Sequence, residues 1–116
     1  MMRRFFFIAA LCAAAAGCEP AWSVQGHVQA ADGSRASISS ALATLRCPGE
    51  PDRSARTDRD GVFELGGTGA GPSLACSVVV VAPGRASAEI ALRDACEDPT
   101  GDQCSVAMVE VPLATR

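Results

Sequence analysis

Six cysteines are the residues of this chain whose chemistry depends most on their spacing. Cys12 and Cys18 lie in an apolar N-terminal segment. The other four follow later in the chain: Cys47, Cys76, Cys96 and Cys104. A four-cysteine zinc site usually contains close pairs such as Cys-x-x-Cys, whereas no two of these four lie closer than the eight positions from Cys96 to Cys104. The spacing therefore favours disulfides over a metal site, and we expect neither a metal nor a cofactor.

The N-terminal segment has the pattern of a secretory signal peptide. Arg3 and Arg4 precede an apolar run that begins at Phe5, and small residues follow as far as Gly17. A signal peptide needs a cationic start, an apolar core of about 7 to 15 residues and small residues before the cleavage site. The run is too short for a membrane-spanning helix, which requires roughly 20 apolar residues. We therefore expect residues 1–17 to be removed.

The end of this segment, Ala15-Ala16-Gly17-Cys18, resembles the lipobox of bacterial lipoproteins. The resemblance implies that the Cys18 thiol is acylated and that cleavage leaves Cys18 as the first residue, with residues 18–23 as a lipidated tether. It also implies a membrane-anchored protein of the bacterial cell envelope that faces the periplasm or the cell exterior. Ala15 stands where these lipoproteins usually have Leu, so ordinary signal cleavage near Gly17 is the alternative.

Export makes disulfides the expected state of the four later cysteines, because compartments outside the cytoplasm are oxidising. Four cysteines permit three connectivities, and the sequence does not choose among them. We favour Cys47 with Cys76 and Cys96 with Cys104, because each pair brackets a segment that can fold back on itself.

Few other side chains are placed to do chemistry. The single histidine, His27, lies in an alternating segment with no obvious acid partner in the sequence. Asp58 and Asp60 are weak calcium candidates, since hard cations prefer clustered carboxylate oxygens, but the neighbouring residues lack the other ligands of an EF-hand loop. No Gly-x-Ser-x-Gly nucleophile motif is found. We therefore expect that the chain is not an enzyme.

The charge of the chain disfavours nucleic acid as a partner. The formal net charge is -3, and removal of the two signal-peptide arginines lowers it to -5. Arg53, Arg56 and Arg59 are interleaved with acidic residues. Nucleic-acid binding needs a clustered basic surface, so we expect no nucleic-acid partner.

Short strands are the elements that would position these residues. Trp22 to Gln29 alternates apolar or small residues with polar ones, which predicts a strand with one buried face. Ile38 to Cys47 predicts a second strand. Ser54 to Thr57 and Val62 to Leu65 predict two further strands, which we expect to form a hairpin around residues 58–61.

The second half of the chain continues the same pattern. Gly66 to Pro72 is predicted to be a flexible loop because it contains four glycines. Leu74 to Val81 is the most apolar β-branched run and predicts a central strand packed on both faces, with Arg85 to Leu92 as its hairpin partner. A loop over Asp94 to Gln103 and a closing strand over Ser105 to Leu113 follow. Short strands separated by turns at intervals of about ten residues are typical of a β-sandwich.

Several of these motifs resemble those of carboxypeptidase regulatory-like domains. They are Val24-x-Gly26-x-Val28, Asp32-Gly33, Ala41 to Leu45, Thr57-Asp58-Arg59-Asp60-Gly61-Val62-Phe63 and Ala82-Pro83-Gly84-Arg85. The resemblance covers about residues 24–92 and implies an all-β, seven-strand Greek-key β-sandwich of the transthyretin type, with a domain over residues 24–116. It also implies an accessory, non-catalytic module.

Two functions from different classes remain open. The first is an envelope lipoprotein whose β-sandwich is a structural or protein-binding module, with an envelope protein of unknown identity as its partner. The second is a binding domain for a small ligand such as a glycan or a peptide. A ligand site needs a concave, partly aromatic surface, and beyond the signal peptide the aromatic residues are only Trp22 and Phe63. We therefore favour the first function.

Overall fold

The computed structural model describes residues 21–116, which form an all-β domain. Its strands are β1 (Ala21–Ala30), β2 (Leu42–Arg46), β3 (Arg53–Arg56), β4 (Val62–Thr68), β5 (Ser77–Val81), β6 (Ala88–Ala91), β7 (Pro99–Thr100), β8 (Gln103–Cys104) and β9 (Val106–Leu113). A helix of four residues, α1 (Leu92–Ala95), lies between β6 and β7. Within residues 21–116 no helix is long and apolar enough to cross a membrane. The predicted signal peptide and Cys18 lie outside the described residues.

The strands form two main sheets and a small ribbon. The first sheet has the order β4-β1-β9, the second has the order β3-β2-β5-β6, and β7 pairs with β8. Within the first sheet, β1 is antiparallel to β4 and parallel to β9. All pairs in the second sheet are antiparallel. The β-sandwich predicted from the sequence is confirmed.

The core lies between the two main sheets and consists mostly of aliphatic side chains. Alternate residues of β1 point inward, as the period of two in Trp22 to Gln29 predicts, and alternate residues of β9 do the same. The largest fully buried side chains include Phe63, Leu92, Leu113, Val24, Val28, Val78, Val80 and Val111. Phe63 is the one buried phenylalanine of the described residues, and its ring covers Gly26 so closely that a Cβ at that position would overlap it. The absence of a side chain at Gly26 therefore makes room for the largest side chain at the centre of the core.

The predicted hairpin between the third and fourth strands is wrong. β3 pairs with β2 in the second sheet, whereas β4 pairs with β1 in the first, so the chain crosses from one sheet to the other between them. The buried Thr57 side chain holds the crossing, because its hydroxyl donates to the Ile38 carbonyl (2.7 Å) and accepts from the Ala41 amide (2.9 Å). Asp58 then turns the chain into β4. These polar contacts fix a crossing where local turn chemistry alone predicts a hairpin.

The glycine-rich segment is also more regular than predicted. Gly66, Gly67 and Thr68 extend β4 and pair with the first residues of β1. Cβ atoms at the two glycines would lie 2.9 Å from atoms of Trp22. The glycines therefore let β4 pass close to the backbone and the indole ring of Trp22, and only the residues beyond Thr68 form a loop.

The central strand of the second sheet is shorter and less enclosed than predicted. β5 runs between β2 and β6 as expected, but it begins at Ser77 and buries fully only Val78 and Val80. Its other face is half-buried, and Val81 is exposed. No second layer of structure covers this face within residues 21–116, so the β-branched run reflects strand propensity as well as burial.

Two disulfides join parts of the domain in the favoured pairing. Cys47 bonds to Cys76 across 29 positions and Cys96 bonds to Cys104 across eight. The first ties the end of β2 to the start of β5, and the second closes the segment that contains the β7–β8 ribbon. None of the cysteines in residues 21–116 is free.

Candidate functional site

The domain has a concave surface, a cleft at the end of the sandwich where β1 begins. Its volume is about 560 Å³, which lies within the usual range for small-molecule sites of about 300 to 1,000 Å³. The walls come from the starts of β1 and β3 and from the loops after β2 and β4. Side chains at the cleft include Trp22, Glu50, Asp52, Arg53, Thr68 and Gln103.

The cleft is built around a stacked pair, Trp22 and Arg53. The Arg53 guanidinium carbon lies 5.3 Å from the centroid of the indole ring, which is within the range of a cation–π contact. Arg53 also donates to the Gly66 carbonyl at 3.2 Å, which holds the guanidinium in place. Trp22 is only 9% exposed. The indole ring of Trp22 therefore forms a wall of the cleft, and the positively charged guanidinium of Arg53 lies against the face of this ring.

Charges of both signs surround this wall. Asp52 lies 3.7 Å from the guanidinium of Arg46, and both side chains are more than half exposed. Glu50 is also exposed at the same loop. A cleft with a fixed guanidinium and nearby carboxylates suits a polar or zwitterionic group better than a purely apolar ligand.

The cleft lies at the end of the domain from which the N-terminal segment leaves. β1 begins at Ala21, three residues after Cys18 and before the predicted domain boundary at residue 24. Three residues span at most about 11 Å when fully extended. Cys18 therefore lies within about 11 Å of the start of β1.

A second cluster surrounds His27 on the outer face of the β4-β1-β9 sheet. His27 Nε2 lies 3.1 Å from the Ser37 hydroxyl, and Nδ1 lies 3.4 Å from a carboxylate oxygen of Glu110. The parallel pairing of β1 with β9 places Glu110 directly beside His27. His27 thus has an acid partner that sequence reasoning missed, because no local pattern indicates which strand of a sandwich lies next to which.

The two calcium candidates take part in a turn. One oxygen of the Asp58 carboxylate accepts from the amides of Asp60 (2.9 Å) and Val62 (3.0 Å). Within the described part of the chain, no group of three or more His, Cys, Asp or Glu side chains could hold a metal ion. Asp58 therefore has a structural role in the crossing between the sheets, and calcium binding at Asp58 and Asp60 stays a prediction.

Among the described residues, Asp32 is a carboxyl group whose pKa is clearly lowered. The Ser34 hydroxyl and the Ser34 amide both donate to Asp32, at 2.6 and 3.0 Å, and hold the pKa of Asp32 below its ordinary value. This turn begins the loop that carries Ser37. Its chemistry is that of a stabilised turn on the surface.

No protein-family model matches the chain, and no curated protein sequence matches it. Among solved structures, the fold is similar to hydroxyquinol 1,2-dioxygenase from Pseudomonas putida DLL-E4, with a TM-score of 0.58, 12% identity and 88% of this chain covered. It is also similar to 3-chlorocatechol 1,2-dioxygenase from Rhodococcus opacus 1CP, with a TM-score of 0.56, 10% identity and 84% of this chain covered. The pilus 2b backbone protein of group B streptococcus matches with a TM-score of 0.48, 13% identity and 81% of this chain covered, against 41% of its own length.

The chain spans about three fifths of the length of the two dioxygenases, 59% and 61% respectively. At this identity the similarity shows a distant relationship of fold alone. It nevertheless contradicts the prediction that the chain is not an enzyme, because both of these structural neighbours are enzymes. Enzymes share the fold, so the fold gives no ground for excluding catalysis.

Proposed function

We propose that this chain is a lipoprotein of the bacterial cell envelope, anchored through acylation of Cys18 after removal of residues 1–17. The sequence Ala15-Ala16-Gly17-Cys18 supports the anchor. Two disulfides support a location outside the cytoplasm, since reducing compartments rarely maintain them. The start of β1 at Ala21 leaves a tether of very few residues.

The domain is proposed to be a carboxypeptidase regulatory-like sandwich with the seven-strand Greek-key arrangement of transthyretin. Three strands in one main sheet and four in the other support this assignment. The motif from Thr57 to Phe63 supports it as well, because its residues have distinct structural roles. Thr57 and Asp58 hold the crossing between the sheets, and Phe63 fills the core against Gly26.

The function proposed for this domain is that of a structural or protein-binding module of the envelope. The observation that carries the proposal is the cleft beside the tether, with its Trp22–Arg53 wall and exposed carboxylates. A polar segment of a partner protein would meet a guanidinium, carboxylates and an indole edge there. Aromatic and arginine side chains of this kind are enriched where proteins bind one another.

Addition of a partner strand to β9 is a less favourable route, because the outer edge of this strand is protected. The amide of Glu97 donates to the Val106 carbonyl at one end, and the amide of Ala86 donates to the Ala114 carbonyl beyond the other end, both at 2.8 Å. Pro112, between them, has no N–H to donate. Such devices prevent strands from pairing at a sheet edge.

A small ligand such as a glycan is the alternative occupant of the same cleft. The size of the cleft favours this second function. The Arg53 guanidinium over the indole is an argument against it, because a sugar ring would need that face of Trp22 for stacking. A peptide segment can bind by hydrogen bonds and charge pairs and leaves the stacked pair intact.

The proposal is tested by photo-cross-linking in the native host. A photoreactive residue replaces Glu50 at the cleft, and the matched control replaces Glu89, which is exposed on the outer face of the second sheet. The expected result is a discrete protein adduct from the Glu50 position alone. An adduct of carbohydrate mass at that position would instead support the glycan alternative. Equal adducts at both positions, or none at either, would contradict a binding role for the cleft.

A further inference from the structure

We propose that Ser37, His27 and Glu110 form an acyl-transfer site that acts on small, exposed esters. The Ser37 hydroxyl lies 3.1 Å from His27 Nε2, and Glu110 lies 3.4 Å from His27 Nδ1. A hydroxyl beside a base that a carboxylate orients is the arrangement by which serine nucleophiles are activated. The cleft does not include any of the three residues.

Three separate segments bring the cluster together. His27 lies in the middle of β1, and Glu110 is its neighbour in the parallel strand β9. Ser37 comes from the loop after β1, which folds back so that the Ile38 amide donates to the Val28 carbonyl at 2.9 Å. A second bond from the Ala30 amide to the Ala36 carbonyl, at 2.8 Å, fixes the loop on the other side of Ser37. The serine is therefore held on both sides against the strand that carries the base.

Gly61 lets the neighbouring turn close on this loop. A Cβ at Gly61 would lie 2.5 Å from the Val28 carbonyl oxygen and 3.1 Å from Ser37 Cβ. Gly61 also has a φ of 76°, which favours glycine. The turn and the serine loop thus pack against each other because this position has no side chain.

One hydrogen bond, to Ser37, and one close carboxylate, Glu110, allow a role for each nitrogen of the imidazole. With the ring proton on Nδ1, facing the carboxylate of Glu110, Nε2 is an acceptor for the Ser37 hydroxyl. Glu110 is a positioning residue, since it contacts the imidazole and not the serine. Ser37 and His27 are the catalytic residues. The bond to Ser37 leaves the hydroxyl oxygen open to an acyl carbon, because Ser37 is exposed.

The reaction proceeds in two balanced steps. Ser37 Oγ attacks the ester carbonyl while its proton passes to His27 Nε2, and the tetrahedral intermediate then expels the alkoxide, which takes that proton and leaves as an alcohol. Water next attacks the acyl-Ser37 carbonyl, giving its proton to His27 Nε2, and the carboxylic acid leaves as the proton returns to Ser37 Oγ. The Ser37 amide points away from β1 and has no hydrogen-bond acceptor within residues 21–116, so it can donate to the oxyanion.

The surroundings limit the substrate to small acyl groups. The cluster lies on the outer face of a sheet, where His27 retains 33% of its side-chain exposure and Glu110 retains 71%. Val62 lies opposite His27 on β4 and is 41% exposed, which provides an apolar contact for a short acyl chain. Without deeper walls the site has little to hold a large substrate. Activated short-chain esters are therefore the expected class.

The test uses the full chain purified in detergent from its native host and a fluorophosphonate probe, which labels activated serines covalently. Peptide mass spectrometry locates the label. We expect it on Ser37, at a rate that falls at least tenfold in His27→Gln, since general base catalysis contributes about 10²- to 10⁴-fold. Ser39→Ala is the matched control, because Ser39 is an exposed serine of the same loop. It should label like the unmodified protein.

Hydrolysis of p-nitrophenyl acetate separates catalysis from a structural hydrogen bond. Ser37→Ala should remove the acyl-enzyme burst, and Glu110→Gln should lower kcat while KM is unchanged. A purely structural Ser37–His27 bond would leave hydrolysis equal in all variants that keep the melting temperature. The proposal is overturned if Ser37 labels no faster than in urea-unfolded protein, or if Ser37→Ala retains the burst.

Discussion

The contact between Gly26 and Phe63 offers a quantitative test of how the core is packed. Replacement of a strand glycine by alanine should stabilise a protein by about 0.5 to 1 kcal/mol when space permits, because the unfolded chain loses freedom. Here the new methyl group would overlap two carbons of the Phe63 ring, and Phe63 is only 2% exposed. Accommodating it requires the ring to leave its rotamer and the core to shift, at a cost of about 1 to 3 kcal/mol.

Because two ring carbons overlap the new methyl group, we expect a packing cost of about 2 to 3 kcal/mol, in the upper part of this range. Less the backbone gain, Gly26→Ala should lower the free energy of unfolding by about 1 to 2.5 kcal/mol. The melting temperature should fall by about 4 to 8 °C per kcal/mol for a domain of this size. Urea unfolding and calorimetry measure both quantities. Ser23→Ala, on the outer face of the same strand, is the control and should change stability by less than about 0.5 kcal/mol.

A double-mutant cycle identifies the cause of the loss. In a Phe63→Leu background the outer carbons of the ring are gone, so Gly26→Ala should cost at least about 1 kcal/mol less than it does in the unmodified protein. If the two substitutions are additive within about 0.5 kcal/mol, or if Gly26→Ala is stabilising by itself, the packing of Phe63 over Gly26 is not as described.

Three further results follow from the same structure. Thr57→Val should destabilise by about 2 to 3 kcal/mol in urea, because it leaves the buried Ala41 amide and the half-buried Ile38 carbonyl unpaired, whereas Thr57→Ser should retain most of the stability. Replacing Cys47 and Cys76 together by alanine should cost about 3.6 kcal/mol on the chain-entropy model, and a loss below about 1 kcal/mol would contradict it. Ser34→Ala should raise the pKa of Asp32 toward its ordinary value of 3.8, as NMR titration would show. Because the bonds lower this pKa, their stabilisation is present above that value and is lost as the pH falls through the folded-state pKa, and an unchanged pKa would refute the assignment.

The sequence predicts those parts of the fold that depend on local pattern. Alternation identifies β1 and the face that it buries, since the period of a strand is two residues. The apolar run from Ser105 to Leu113 locates β9 but not its buried face, since Met108 in that run is exposed. The pair Pro83-Gly84 correctly separates β5 from β6. The sequence permits three disulfide pairings, and the one that we favour is the one in the structure.

Features that depend on distant partners could not be predicted in this way. The crossing between β3 and β4 requires Thr57 to bond with the segment before β2, which its own neighbours do not reveal. Gly66 and Gly67 appear as loop residues in sequence, yet they pair with β1 and pass so close to Trp22 that a Cβ at either position would crowd it. Physical contact, not propensity, decides both cases.

The candidate sites likewise combine residue types that the sequence identifies with contacts that it does not reveal. A cleft could not be predicted from Trp22 and Arg53, because their stacking depends on how the starts of β1 and β3 meet. Glu110 becomes the partner of His27 only through the parallel pairing of β1 with β9. Local sequence identifies the residue types that can do chemistry, and the topology of the sheets decides which of them meet.

The most direct test of the proposed function is the intact mass of the mature protein from its native host, measured before and after reduction and thiol alkylation. We expect a chain that begins at Cys18 and carries two or three acyl chains, with four alkylatable thiols that become accessible only after reduction. A chain without lipid would contradict the membrane anchor and with it the placement of the cleft beside a membrane. Thiols that react without reduction would contradict the disulfides and the oxidising compartment inferred from them.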